Sequence, residues 1–228
     1  MVVAVFGDAH AHAEAFAAVL AAADACGVDQ LWSLGDMVGG GPDPEHVVSG
    51  TRARCAVALL GNHDYGATGS AEPERFGPPG SAAVRSIELA RERLSDDDVA
   101  WMRSRKPAAR RGDVQCWHGG PRNAVHEYVG PANAAACLAV QKAALGLVAH
   151  THVAAAFQHT PRAARAARIR VGERLDLSGG KWLLNPGAAD EGCWLLLDLA
   201  EQTATWQRAP FDPAPARERA RALGWADR

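Results

Sequence analysis

The chain has 228 residues, 48% of them apolar and 22% charged, with 24 basic against 26 acidic side chains. That length suits one large core, so residues 1–228 are expected to form a single domain. The near-balanced charge leaves no overall electrostatic footprint for nucleic acid, and no apolar run approaches the ~20 residues of a membrane span. Five scattered cysteines (Cys26, Cys55, Cys116, Cys137 and Cys193) lack zinc-finger spacing and lie mostly in apolar runs. Buried free thiols, and a strand rather than a signal peptide at the N-terminus, lead us to expect a cytoplasmic protein.

In chain order, Val2–Phe6 reads as a strand running into Gly7-Asp8-Ala9-His10. A helix is predicted over residues 12–26, where Phe16, Val19, Leu20 and Ala23 recur at helical spacing. The strand 30–34 delivers Gly35-Asp36, and a glycine-rich turn leads to Pro44, placed to open a short helix with Asp43 as its N-cap. The apolar run 55–60 stops at Gly61 and delivers Asn62, His63 and Asp64 together. Residues 66–80 read as a loop, and 81–94 and 95–103 as helices; the stretch 66–105 is expected to form a helical cap beside the site. Val114–Trp117 runs into His118, a helix is predicted over 133–144, and the run 145–149 leads to His150-Thr151-His152. Strands follow at 153–158, 167–172, 181–185, Cys193–Asp198 and Thr203–Arg208, then a helix from Asp212-Pro213. The arginines between Pro161 and Arg174 read as a solvated hairpin tip. Mixed β-α-β order followed by a run of strands predicts an α/β fold, a four-layer α/β/β/α sandwich of two mixed sheets.

Five short apolar runs thus end in metal-type ligands. Taken singly, Asp8 or Asp36 would cap a turn, Asn62 would form one, and His118 would be a satisfied polar group. His150 and His152 are a better pair, since alternate residues of an extended segment share a face. Together, Asp8, His10, Asp36, Asn62, His118, His150 and His152 offer oxygen and imidazole donors without a thiolate, a mixture that fits two divalent ions sharing one carboxylate.

Asp8-x-His10, Gly35-Asp36, Gly61-Asn62-His63-Asp64, His118 and His150-x-His152, in that order, resemble the calcineurin-like metallophosphoesterase family. The resemblance implies one metal ion on Asp8, His10, Asp36 and His152 and another on Asp36, Asn62, His118 and His150, with Asp36 as the bridge. It implies hydrolysis of phosphodiester or nucleotide-type substrates by metal-activated hydroxide, with Mn²⁺ the first metal to try and Fe, Zn, Ni or Mg as others. His63 is then the proton donor or charge stabiliser on the leaving-group side, and Asp64 fixes its tautomer and orientation. A phosphomonoesterase or protein phosphatase on the same site is the alternative, and a non-catalytic metal-site scaffold a further one.

The stretch from Leu34 to Pro44, Phe76-Gly77-Pro78-Pro79, residues 117–122 and Asn185-Pro186-Gly187 are similar to a bacterial branch of diadenosine-tetraphosphatase-like or phosphodiesterase-like proteins. Four departures stand out. The aromatic-Thr-Arg stretch often seen on the cap helix is absent, with Arg85-Ser86-Ile87 near that place. Ala149 occupies the place of a common glycine, and His12 that of a common asparagine. The basic residues that usually follow the Asn-Pro-Gly turn are replaced by Ala188-Ala189-Asp190-Glu191. Gly39, Gly40 and Gly41 either leave room for substrate phosphate or form a tight turn that needs positive φ.

Overall fold

The first strand shows how the layers arise. In β1 (Val2–Phe6) every residue is apolar, and successive side chains leave on opposite faces. Val3 and Val5 join a cluster shared with a second sheet, whereas Ala4 and Phe6 join one built with helices. Burial on both faces is why the run is continuously apolar instead of alternating. The structure is a computed structural model that describes residues 1–160 and 164–225.

After β1 come α1 (Ala13–Ala25), β2 (Gln30–Ser33), α2 (Pro44–Arg54), β3 (Cys55–Ala58) and α3 (Asn62–Ala67). A 3₁₀ turn at Pro73–Phe76 precedes α4 (Ala82–Arg93), α5 (Asp96–Arg103), β4 (Ala108–Arg111) and β5 (Val114–Trp117). Then follow α6 (Ala134–Val140), β6 (Leu145–Leu147), β7 (Ala155–His159), β8 (Ala164–Ala166) and β9 (Arg174–Asp176). The chain continues through β10 (Trp182–Asn185), β11 (Cys193–Asp198), β12 (Thr203–Arg208) and α7 (Ala214–Ala222).

One sheet has the order β3-β2-β1-β11-β12-β9 and the other β4-β5-β6-β10-β7-β8. Both are mixed: β1, β2 and β3 run parallel, as do β5, β6 and β10, and the remaining pairs are antiparallel. The sheets meet across Val5, Trp32, Leu195 and Trp206 on one side and Cys116, Leu147, Trp182 and Leu184 on the other. Helices α1 and α2 cover the first sheet through Phe16, Val19, Val47 and Val48, and α6 covers the second through Cys137 and Leu138. Burying a side chain such as Phe16 contributes about 1.5–3 kcal/mol. The result is the expected four-layer α/β/β/α sandwich.

Several boundaries differ from the sequence reading, each for a local reason. The helix predicted over 133–144 stops at Val140, because Gln141 turns extended and its buried amide donates to the carbonyls of Ala143 and Trp182. The strand predicted at 167–172 is absent; β8 and β9 flank that stretch instead. The hairpin tip expected among the arginines lies partly outside the described residues, and Arg168 and Arg170 beyond it are exposed. Asp43 stands at the N-cap of α2 with Pro44 behind it, but its carboxylate does not cap; it binds Arg219 of α7. Ser81 and Ser95 do cap α4 and α5, accepting from the N–H groups of Val84 and Asp98. Among the described residues no helix is long and apolar enough to cross a membrane.

Parallel strands set the place of the site. The carboxyl ends of β1, β2, β3, β5 and β6 lie along one edge, where loops of an open α/β sheet bind ligands. Beyond β1 and β2 the loops remain zipped: Asp8 N–H donates to Gly35, His10 N–H to Asp36 and Ala11 N–H to Met37, at 2.8–3.0 Å.

Candidate metal centre

The backbone at this edge is unusual. Asp8, His10, Asp36, His150 and His152 all have φ between +48° and +66°. Non-glycine residues seldom adopt that region, which costs of order 1–3 kcal/mol each, and such strain concentrates at functional sites. At His150 a hydrogen bond from Thr151 N–H to the Ala149 carbonyl (2.7 Å) closes a three-residue turn that points the ring into the site. Asn185 braces that turn from β10, its amide donating to the Ala149 carbonyl (2.9 Å) and meeting Thr151 Oγ1 at 3.0 Å. The sequence reading had marked Asn185 without giving it a task. Ala149 is fully buried, and Gly7 makes its room: a Cβ added at Gly7 would come within 2.9 Å of the Ala149 methyl.

All seven expected ligands converge. Nδ1 of His10 lies 2.6 Å from the Gly39 carbonyl, and Nδ1 of His118 lies 3.0 Å from that of Leu34. Carbonyls only accept, so in each ring the proton is on Nδ1 and Nε2 presents a lone pair. His10 Nε2 is 3.0 Å from His152 Nε2 and 3.8 Å from Asp36 Oδ2. His118 Nε2 is 3.0 Å from Asn62 Oδ1 and 3.5 Å from the same Asp36 oxygen. His152 Nε2 lies 3.9 Å from Asp8 Oδ1. Three groups of side chains have ligand atoms within 4.8 Å of one another: Asp8, His10 and His152; His10, Asp36 and His63; and Asp36, His118 and His150.

These donors fit divalent cations. Lone pairs face lone pairs, and the buried Nε2 of His150 has no hydrogen-bond partner among the described residues. Burial raises the carboxyls of Asp8 and Asp36 well above the ordinary range, reinforced by Asp190 beside the first and Asp64 and Asp8 beside the second. Burial also lowers His10 and His118, and brings His150 down to about 4, so these rings are neutral at pH 7. Carboxyls whose ionisation is this unfavourable without a cation, set among neutral imidazoles, form a donor set for positive charge from outside the chain.

His63 and Asp64 part company. The His63 ring stands between those of His10 and Phe76, both at 4.9 Å between centroids. Asp64, expected to orient it, directs its carboxylate elsewhere: Oδ1 accepts from the N–H groups of Met37 (2.9 Å) and Val38 (3.2 Å), and Oδ2 from Gly61 (2.8 Å). Neighbouring residues on a helix face different directions, and the Asp64 carboxylate spends its hydrogen bonds on backbone N–H groups, whereas the resemblance implies that it orients His63. Asp64 thus ties α3 to the loop after β2, and His63 N–H donates to Asp36 Oδ1 at 2.9 Å.

Two cavities open from this centre. One, about 410 Å³, is lined by Asn62, Tyr65, Arg75, His126 and His150 among others. The second, about 710 Å³, is lined by His10, His12, His63 and His152 together with residues of α7. Phe76 and Tyr128 border both. Tyr128, which no motif singled out, is 65% exposed and its ring stacks on His150 at 3.9 Å. His12 fills the N-cap position of α1 without a side-chain cap. The glycine turn is tight, as one of its two readings held: Gly39 and Gly40 have φ of +85° and +139°, and Gly41 N–H is spent on the His10 carbonyl.

A strand-edge cluster of carboxylates, an amide and imidazoles on a two-sheet sandwich defines a metal-dependent phosphoesterase architecture. The chain belongs to the calcineurin-like phosphoesterase family, whose model matches residues 1–154. A metallophosphoesterase from Sphaerobacter thermophilus superposes over 100% of this chain and 95% of its own, with 28% identity and a TM-score of 0.87. Hypothetical protein PH1004 from Pyrococcus horikoshii shares the fold, with 14% identity, a TM-score of 0.78 and coverage of 99% and 94% of the two chains. The uncharacterized protein MJ0912 from Methanocaldococcus jannaschii is 35% identical over 82 residues, 36% of this chain. That match spans only 34% of the relative's length.

Proposed function

We propose that this chain is a dinuclear metal-dependent phosphodiesterase acting on small phosphoester or nucleotide-type substrates. The observation that carries the reading is the place of Asp36 Oδ2, 3.8 Å from His10 Nε2 and 3.5 Å from His118 Nε2. One carboxylate oxygen facing two imidazole groups suits a bridging ligand. Asp8, His10, Asp36 and His152 would hold one cation, and Asp36, Asn62, His118 and His150 the other. Such a pair, with Mn²⁺ the first to test, supplies charge for the phosphate oxygens and lowers the pKa of water toward neutrality.

The chain's own residues do the rest. His63, wedged by His10 and Phe76, is left to hand a proton to the departing alkoxide. Asp64 keeps α3, and with it His63 and Asn62, in register with the loop that carries Asp36. Two cavities flanking the centre suit an ester with two substituents. The insert 66–105 belongs with the rest in one domain: Arg91 donates to the carbonyls of Gly66 and Ala71, and Ala90, Leu94 and Met102 share a core with Phe16 and Val48. The cytoplasm suits a chain whose five cysteines are all unpaired.

The test is turnover of an aryl phosphodiester and the matching monoester with Mn²⁺, together with metal content. The diester should have the higher kcat/KM and the protein should bind two ions. If the monoester wins by about tenfold or more, a phosphatase takes the place of this reading.

A further inference from the structure

The family match ends at residue 154, yet the larger cavity is walled by the far end of the chain. Ala216, Arg217 and Ala220 of α7 line it, as does Trp225, opposite Phe76 and Tyr128. Two devices hold that wall. Arg219 forks onto Asp43 (Nε–Oδ1 and Nη2–Oδ2, both 2.7 Å) and reaches Glu14 at 2.7 Å, pinning α7 to the starts of α1 and α2. At its end, Gly224 (φ +73°) turns the chain so that Trp225 N–H donates back to the Ala220 carbonyl and Gly224 N–H to that of Arg221. This is a Schellman stop, which lays the residue after the glycine against the helix it ends. Trp225 is thereby buried to 8% exposure at the cavity wall, beside two alanines that leave space in front of it.

Charge points the same way. Of the two arginines on the cavity, Arg208 pairs with Glu191 at 3.7 Å, while Arg217 has no ion-pair partner among the described residues. An exposed guanidinium lining the same cavity as an indole suits a planar ring that carries an anionic group. His63 lines this cavity and not the smaller one, so the proton donor stands on this side.

We infer that α7 and Trp225 recognise the leaving arm of the substrate, an alcohol that carries both a planar aromatic ring and an anionic group; this rests on the phosphodiesterase reading above. In the reaction, water oxygen forms the new bond to phosphorus, and the bond from phosphorus to the larger arm's oxygen breaks with its electron pair. That alkoxide takes the proton of His63, and the proton released by water restores it. The smaller arm stays on the phosphate, toward Arg75 and His126.

The experiment uses two diesters, each a methyl phosphate joined to the 5′ oxygen of thymidine, one with and one without a 3′-phosphate. Both leaving groups are simple alkoxides, so position in the site selects the bond. Wild type should release methyl phosphate and the nucleoside arm. The 3′-phosphate should lower KM by about tenfold, and Arg217→Ala should abolish that advantage while kcat stays within about twofold. Arg217→Lys should restore part of it. Calorimetry with thymidine 3′-phosphate gives a readout without turnover: affinity should fall about tenfold in Arg217→Ala, with an unchanged melting curve. Release of methanol, or equal affinity in wild type and variant, overturns the inference while leaving a phosphodiesterase in place. Cleavage of monoesters alone, with every diester untouched, would instead remove the reading on which it rests.

Discussion

Replacing Arg219 with alanine should free α7 without unfolding the sandwich. The side chain makes four short contacts, two to Asp43 at 2.7 Å and two to Glu14 at 2.7 and 2.8 Å. Hydrogen bonds to charged groups contribute about 1.5–3 kcal/mol each when sheltered, whereas exposed ion pairs contribute about 0–1. Arg219 is 41% exposed against 25% for Glu14 and 14% for Asp43, so the values lie between those limits. We take about 1.5–2 kcal/mol for the forked pair and about 0.5–1 for Glu14, some 2–3 in all. Nine residues are too few for a helix to persist alone, so α7 depends on docking. At 1.4 kcal/mol per factor of ten, its opening should become about 30–150-fold more frequent. Hydrogen exchange of peptides covering 214–225 should accelerate by that factor while those covering β1 keep their protection. An acceleration below about threefold in α7, or an equal one in β1, would refute the account of what holds the helix.

Three further outcomes follow from the centre itself. Asp36→Asn should abolish nearly all activity and weaken bound metal, as measured by elemental analysis; two ions per chain with full turnover would sink the bridge. His63→Ala should lower kcat by roughly 10²–10⁴-fold with metal content preserved, the loss shrinking for esters with good leaving groups. Metal loss equal to that of Asp36→Asn would make His63 a ligand, as its grouping with His10 and Asp36 allows. The third concerns pH: burial raises Asp8 and Asp36, so the metal-free fold favours their protonated forms and loses that contribution as pH climbs through the raised values. Cation binding should therefore release protons, with none from His150, already neutral above about 4, and the gain in Tm on adding metal should grow with pH. Zero proton release in calorimetry across two buffers would count against the two carboxyls as ligands.

The legible parts of the sequence are those where one local rule acts alone. Val2–Phe6, Val114–Trp117, Cys193–Asp198 and Thr203–Arg208 were read with their observed limits because apolar runs or alternating hairpin residues sit between turn-formers. The strand-end placement of Asp8, Asp36, His118 and His150 followed from the same pattern. What failed depended on distant partners. Gln141 ends α6 through a carbonyl of β10, and Asp43 leaves its cap for Arg219, 176 residues away. The hydrogen bonds of Asp64 to Met37 and Val38 were equally invisible, since those residues lie 27 and 26 positions away. Tyr128 carried no signal, because its importance comes from the loop that stacks it on His150.

The same division separates the reaction from the substrate. The groups that face the proposed cations sit on parallel strand ends and adjoining turns, where left-handed backbone fixes Asp8, His10, Asp36, His150 and His152. The groups that face the arms of an ester sit farther out: Tyr128 and Phe76 on connecting segments against the rings of His150 and His63, Arg217 on a helix that Arg219 pins to Asp43, and Trp225 just past its end. Exchanging Arg217 or Trp225 leaves the strained edge as it is, so substrate choice can change while the reaction stays. Asp190 and Glu191, which follow Asn185-Pro186-Gly187, line the same cavity as Arg217, whose guanidinium has no ion-pair partner among the described residues. A grip on an anionic arm of the substrate would then come from the C-terminal helix and not from the residues next to that turn.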